Sequence, residues 1–187
     1  MPKIADIQET PNPNAVKFIL REAVSYGTSH SFDSAEKAKD DKLAASLFEV
    51  GDVVSVFYMD KMITVEKPDE ADWDEILPLL AVPIRAAEAV RTTNGSAAKE
   101  VGGAIGAVAA NDNPKIAEIN ALLDDRIRPY LASDGGWLEI LDLEDKTLKI
   151  RYQGACGSCP SSLTGTLAAI ENMIKDEIDS EIEVVAV

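Results

Sequence analysis

Residues 92–113 read TTNGSAAKEVGGAIGAVAANDN, and they do more than any other stretch to decide what this 187-residue chain can fold into. Gly, Ala, Asn and Ser dominate, and no helical or strand period is sustained. The stretch reads as a flexible linker with an r.m.s. reach on the order of 25 Å. A poorly patterned helix through 97–110 is the alternative its alanines leave open. In either form it separates residues 1–91 from residues 114–187, and each piece can bury one small core.

The first piece opens with the turn ETPNPN (9–14), followed by AVKFIL (15–20), an alternating strand with Val16, Phe18 and Leu20 on one face. A helix is expected over 34–49, with Leu43, Leu47 and Phe48 inward. VVSVFY (53–58) and KMITVE (61–66) flank a short turn at Met59-Asp60 and read as a hairpin. A last helix over 70–90 carries Trp73, Ile76, Leu77, Leu80 and Ile84 at helical steps, with Pro78 and Pro83 expected to bend or divide it.

The second piece begins with Asn113 as N-cap and Pro114 at the first helical position. Ile116, Ile119, Leu123 and Ile127 line one helical face as far as SDGG (133–136). WLEILDL (137–143) and TLKIRY (147–152) read as a hairpin, with Leu148, Ile150 and Tyr152 inward. A helix over about 160–176 buries Leu163, Leu167, Ile170 and Ile174, and EIEVVAV (181–187) closes as a strand. The expected fold class is α+β: two small α+β domains on a Gly/Ala-rich linker, the C-terminal one in the order α-β-β-α-β.

Net charge is −15 and is spread over both pieces, which argues against nucleic acid or an anionic membrane surface as partner. The most apolar run, VGGAIGAVAA (101–110), is far short of the ~20 residues that span a bilayer. MPKIADIQETPNPN has neither the apolar core of a signal peptide nor the Arg/Ser-rich pattern of a transit peptide. A cytoplasmic protein is expected. In a reducing compartment a close cysteine pair signals metal binding or redox chemistry more often than a structural disulfide.

GACGSCPSS (154–162) holds both cysteines, Cys156 and Cys159, between a strand and a helix start. Backbone N–H groups and the helix dipole there favour thiolate, the form that binds soft metals or attacks disulfides. The loop reads as one that presents its sulfurs at the surface. A zinc site or iron–sulfur cluster usually takes four protein ligands, and this chain has two thiols and a distant His30. Two chains, each giving Cys156 and Cys159, would complete the set. A dithiol–disulfide exchanger also places CxxC at a helix start, although just 28 residues follow Cys159 and no aromatic residue precedes Cys156. A zinc-bridged dimer and an incidental pair stay open as well.

Other residues read more plainly. Trp137 is expected to pack half-buried, Asp134-Gly135-Gly136 to form a turn, and His30 to be solvated in a polar loop. Ser161 and Ser162 are candidates for helix capping or for hydrogen bonds to a bound cluster. No Ser/His/Asp set, phosphate loop or carboxylate pair stands out, so enzymatic turnover is not expected.

SDGGWLEI followed by GACGSCPSSLTGTLAAIENMIK resembles the NifU-like C-terminal domain of the Nfu family. ETPNPNAVKF, LFEVGDVVSVFY and MITVEK resemble that family's N-terminal domain, so the resemblance spans nearly the whole chain outside the linker. It implies an iron–sulfur scaffold or carrier that receives its cluster from an upstream assembly scaffold. Cys156 and Cys159 would bind a [4Fe–4S] cluster shared between two chains, a homodimer when loaded, and deliver it to apo-protein clients. One departure is Trp137, which follows DGG where relatives often carry an acidic residue.

Overall fold

The computed structural model describes residues 1–88, 114–157 and 160–187, the side chains of 160–164 excepted. The linker, Asn113 as cap, Cys159 and the side chains of Ser161, Ser162 and Leu163 fall outside the described residues. The chain divides into two compact units, Met1–Gly106 and Ala107–Val187. Both mix helix and strand, in keeping with the α+β reading.

The first unit runs β1 (Ile4–Glu9), β2 (Ala15–Leu20), β3 (Ser29–Phe32), α1 (Ala35–Ala38), α2 (Lys42–Phe48), β4 (Ser55–Met59), β5 (Met62–Glu66) and α3 (Trp73–Ala86). Its sheet has the order β1-β2-β5-β4-β3, antiparallel throughout. Val16, Phe18 and Leu20 enter the core as their alternation requires, joined there by Val56, Ile63 and Val65 and by Leu47, Ile76, Leu80 and Ile84 from the helices.

Four local expectations change. Met59 pairs with Met62, so the hairpin turn is Asp60-Lys61, one residue later, with Asp60 at φ 51°. The helix expected over 34–49 breaks into α1 and α2, because Asp41 leaves the helical path to cap α2, accepting from the Ala44 N–H at 2.8 Å. By contrast, α3 is not divided: it continues through both Pro78 and Pro83. Each proline forfeits one backbone bond, but Ile76, Leu80, Ala81 and Ile84 are buried, and that packing outweighs the loss. His30 is not in a loop. It lies on β3, its ring stacked on Tyr58 with centroids 4.5 Å apart.

Asp41 ties these pieces together. Its second carboxylate oxygen accepts from the Tyr58 hydroxyl at 2.5 Å, so one residue caps α2 and anchors β4. Burial, that hydrogen bond and the Asp41 charge all raise the Tyr58 pKa. Burial lowers the His30 pKa, with the Asp41 charge opposing.

The second unit runs α4 (Pro114–Arg126), α5 (Arg128–Ser133), β6 (Gly136–Glu144), β7 (Thr147–Gly154), α6 (Pro160–Glu177) and β8 (Glu183–Ala186). The single opening helix divides at Ile127, since Pro129 has no N–H to return to the preceding turn. β6 and β7 form the hairpin, and β8 joins β7 in parallel after the α6 crossover, giving the order β6-β7-β8. Ile116, Ile119 and Leu123 from α4 meet Leu138, Ile140, Leu148, Ile150 and Tyr152 from the sheet and Ile170 and Ile174 from α6. That core holds the hairpin's open end, and hence the cysteine loop, against the helices.

Asp41→Ala should destabilise the protein by about 2 kcal/mol, combining a lost cap with a stranded Tyr58 hydroxyl, and Tyr58→Phe by less; denaturant titration of both reads the difference. Unfolded His30 takes a proton near its ordinary value of 6.5, whereas the folded imidazole takes one at lower pH. Stability is therefore full above that value and falls as pH drops from it through the folded pKa. His30→Gln should flatten this part of a stability–pH curve.

Candidate functional site

β7 ends at Gly154, whose φ of +67° turns the chain out of the strand. A tight turn follows, with the Gly157 N–H donating to the Gly154 carbonyl at 2.9 Å. The Ala155 N–H donates to the Gly135 carbonyl at 3.2 Å and pins the turn to the start of β6. Cys156 is thereby swung inward. It is 3% exposed and belongs to the apolar core of the unit, which corrects the expectation of a sulfur presented at the surface.

The place it occupies is made by a missing side chain. A Cβ built on Gly136 would lie 2.4 Å from the Cys156 Sγ, 2.9 Å from its Cβ and 3.0 Å from the Gln153 carbonyl. Gly136 pairs with Gly154 across the hairpin, so two glycines face each other where the sulfur comes in. Read from sequence as part of a turn, Gly136 is in fact the first residue of β6 and forms the floor of the site. A glycine opening a strand, rather than closing the turn before it, is the signal that marks a close approach.

Tyr152 stands two residues before the turn, 8% exposed and on the core side of β7 as its alternation requires. Its hydroxyl is buried and has no hydrogen-bond partner. Burial first, and then the charge of Cys156, push its pKa up to about 12. On the opposite face, the Gln153 amide donates to Glu139 at 3.1 Å while its own Oε1 goes unpartnered. Burial raises the Glu139 pKa against the opposing charges of Arg151 and Arg128.

Trp137 is half-buried, as expected, beneath the Arg128 guanidinium at 5.3 Å from the ring centroid. Arg128 also donates to the Leu138 carbonyl at 3.1 Å and to Asp124 and Asn120 at 2.6 and 2.9 Å. This one side chain braces the glycine end of β6 against α4, and nothing in its sequence neighbourhood signals that role. His30 belongs to the other unit. Among the described residues no three of His, Cys, Asp or Glu come together as a metal site, and no helix is long and apolar enough to cross a membrane.

Comparison with known proteins agrees with this division. The NifU-like domain model matches residues 119–185, and the model described as scaffold protein Nfu/NifU N terminal matches residues 4–88. The chain is 34% identical over 174 residues to NifU-like protein 5, mitochondrial, of Arabidopsis thaliana, covering 89% of this chain and 62% of that protein. It is 34% identical over 172 residues to the NFU1 iron-sulfur cluster scaffold homolog, mitochondrial, of Homo sapiens, covering 90% and 65% respectively. The chain thus spans less than two thirds of the length of these curated relatives. Their names carry a mitochondrial label, which overturns the cytoplasmic expectation. That expectation rested on the first residues, and a chain covering part of its relatives carries no information there about a leader.

Gly136→Ala should cost about 2 kcal/mol by overpacking and should displace Cys156. Cys156→Ala in the same chain removes the closest clash and should restore part of the loss, so a double-mutant cycle in denaturant should show coupling. Purely additive effects would mean that the sulfur does not rest on Gly136.

Proposed function

Because the chain belongs to the Nfu family, we propose that it is a non-enzymatic iron–sulfur carrier. It binds a [4Fe–4S] cluster between two chains through Cys156 and Cys159 and passes it to apo-proteins. The observation that carries this reading is the seat of Cys156: a sulfur held at a strand end over a glycine, directly before a helix start. Such a seat fixes a soft ligand without spending a second side chain on it. It also sets the ligand in apolar surroundings, where water competes poorly for iron.

Two thiols per chain and no three-residue metal cluster among the described residues make a second copy the natural source of the remaining ligands. The cluster then holds the homodimer together, and losing it releases monomers. Here the cluster is cargo. It arrives from an upstream assembly scaffold, and a client's cysteines take it by replacing Cys156 and Cys159 through ligand exchange, which breaks and makes iron–thiolate bonds without net redox change. The first unit has no cysteine. Its role in this scheme is to hold the client near the site, with residues 92–113 as tether.

Anaerobic reconstitution followed by iron, sulfide and zinc analysis tests the reading. About two irons and two sulfides per chain, in a dimer that a chelator dissociates, are expected. About half a zinc per chain without sulfide would instead mean a structural bridge. Cys156→Ser should leave the apo fold standing and abolish stable cluster binding; a full cluster in that variant would end the shared-site model.

A further inference from the structure

The carrier reading gives the sulfur a ligand role but leaves the buried Tyr152 hydroxyl unexplained. Leaving a buried hydroxyl without a partner costs about 1–3 kcal/mol, and a phenylalanine would avoid that cost. The register shows what stands near it. Tyr152 pairs with Leu138 and Gly154 with Gly136, so positions 152 and 136 are diagonal neighbours on the hairpin. Leu138 and Tyr152 both face the core, and position 136, two residues before Leu138, projects to that same side. Diagonal neighbours stand about 7–8 Å apart, within reach of an aromatic side chain. What fills position 136 is not a side chain of its own but the Cys156 sulfur. The other unpartnered buried atom among the described residues, Gln153 Oε1, belongs to the opposite face and offers no alternative.

We propose that the Tyr152 hydroxyl donates a hydrogen bond to the Cys156 sulfur when that sulfur is a metal-bound thiolate, making Tyr152 a positioning residue of the site. The proposal rests on the carrier reading for its physiological setting. It requires no covalent or redox step. A thiol is a weak acceptor, whereas a thiolate shared with a metal still carries charge enough to accept strongly. The hydroxyl is thus costly in the empty site and useful in the loaded one, and its removal should have opposite effects on the two states.

The test compares the full-length protein with Tyr152→Phe in three states: metal-free, reconstituted with cluster, and loaded with Cd²⁺ as a thiolate-seeking probe. The metal-free variant should melt no lower than the parent. With cluster, it should release iron to a chelator about tenfold faster and show a lower reduction potential and shifted iron–thiolate stretching bands, since one charge-assisted hydrogen bond is gone. With Cd²⁺, its affinity should fall by a similar factor. Unchanged potential, stretching bands and Cd²⁺ affinity would overturn the hydrogen bond even if the parent carries a normal cluster. So would a variant that melts lower by the same amount in every state, because that marks a packing role alone. If the parent takes no cluster but its Cd²⁺ affinity falls in the variant, the carrier reading fails and the hydroxyl–sulfur contact stands. A parent that binds neither overturns both.

Discussion

The contact between the Cys156 sulfur and the backbone at Gly136 is the constraint on which the second unit's chemistry depends. It exists because β6 and β7 pair in a register that sets Gly136 opposite Gly154. A slip of one residue would bring the indole of Trp137 to the spot where the sulfur now rests. The long run of paired residues along the hairpin, the Arg128 brace to the Leu138 carbonyl and the Ala155–Gly135 hydrogen bond all hold against that slip. Core packing and site geometry are here the same set of interactions, read from two ends of one hairpin.

That coupling also restricts access to the sulfur. A sulfur buried at 3% exposure cannot meet an incoming thiol while the 154–157 turn stays closed. Under the carrier reading proposed above, ligand exchange at Cys156 requires local opening of this short turn, whose hydrogen bonds include Gly157 N–H to Gly154 and Ala155 N–H to Gly135. The first unit is built differently. Its organising residue is Asp41, which joins α2 to β4 through a cap and a tyrosine hydroxyl, and no cysteine lies anywhere in it.

β7 was legible from sequence by its strict alternation, because burial on one face leaves an imprint of period two, whereas β2 and β5, buried on both faces, were legible as short apolar runs bounded by turns. β1 and β3 were not. β1 is exposed along nearly its whole length and β3 reads SHSF, so neither carries a hydrophobic pattern. Breaks in helices were misjudged in both directions. Asp41 interrupts a run by capping the next helix and Pro129 by lacking a backbone donor, whereas the two prolines inside α3 are overruled by the core beneath them. At the site, CxxC and its place before a helix were plain in the letters. The inward turn of Cys156, the glycine floor and the idle tyrosine hydroxyl depend on a cross-strand register that no local pattern encodes.

The recess around Cys156 also bears on how the metal-free protein ages. Oxidation to sulfenic acid and beyond requires a peroxide to reach the sulfur, and susceptibility rises with exposure. A thiol 3% exposed, set against Gly136 and within the core cluster, offers oxidants little approach. Under the carrier reading proposed above, the fold would shelter this sulfur from irreversible chemical loss between one delivery and the next.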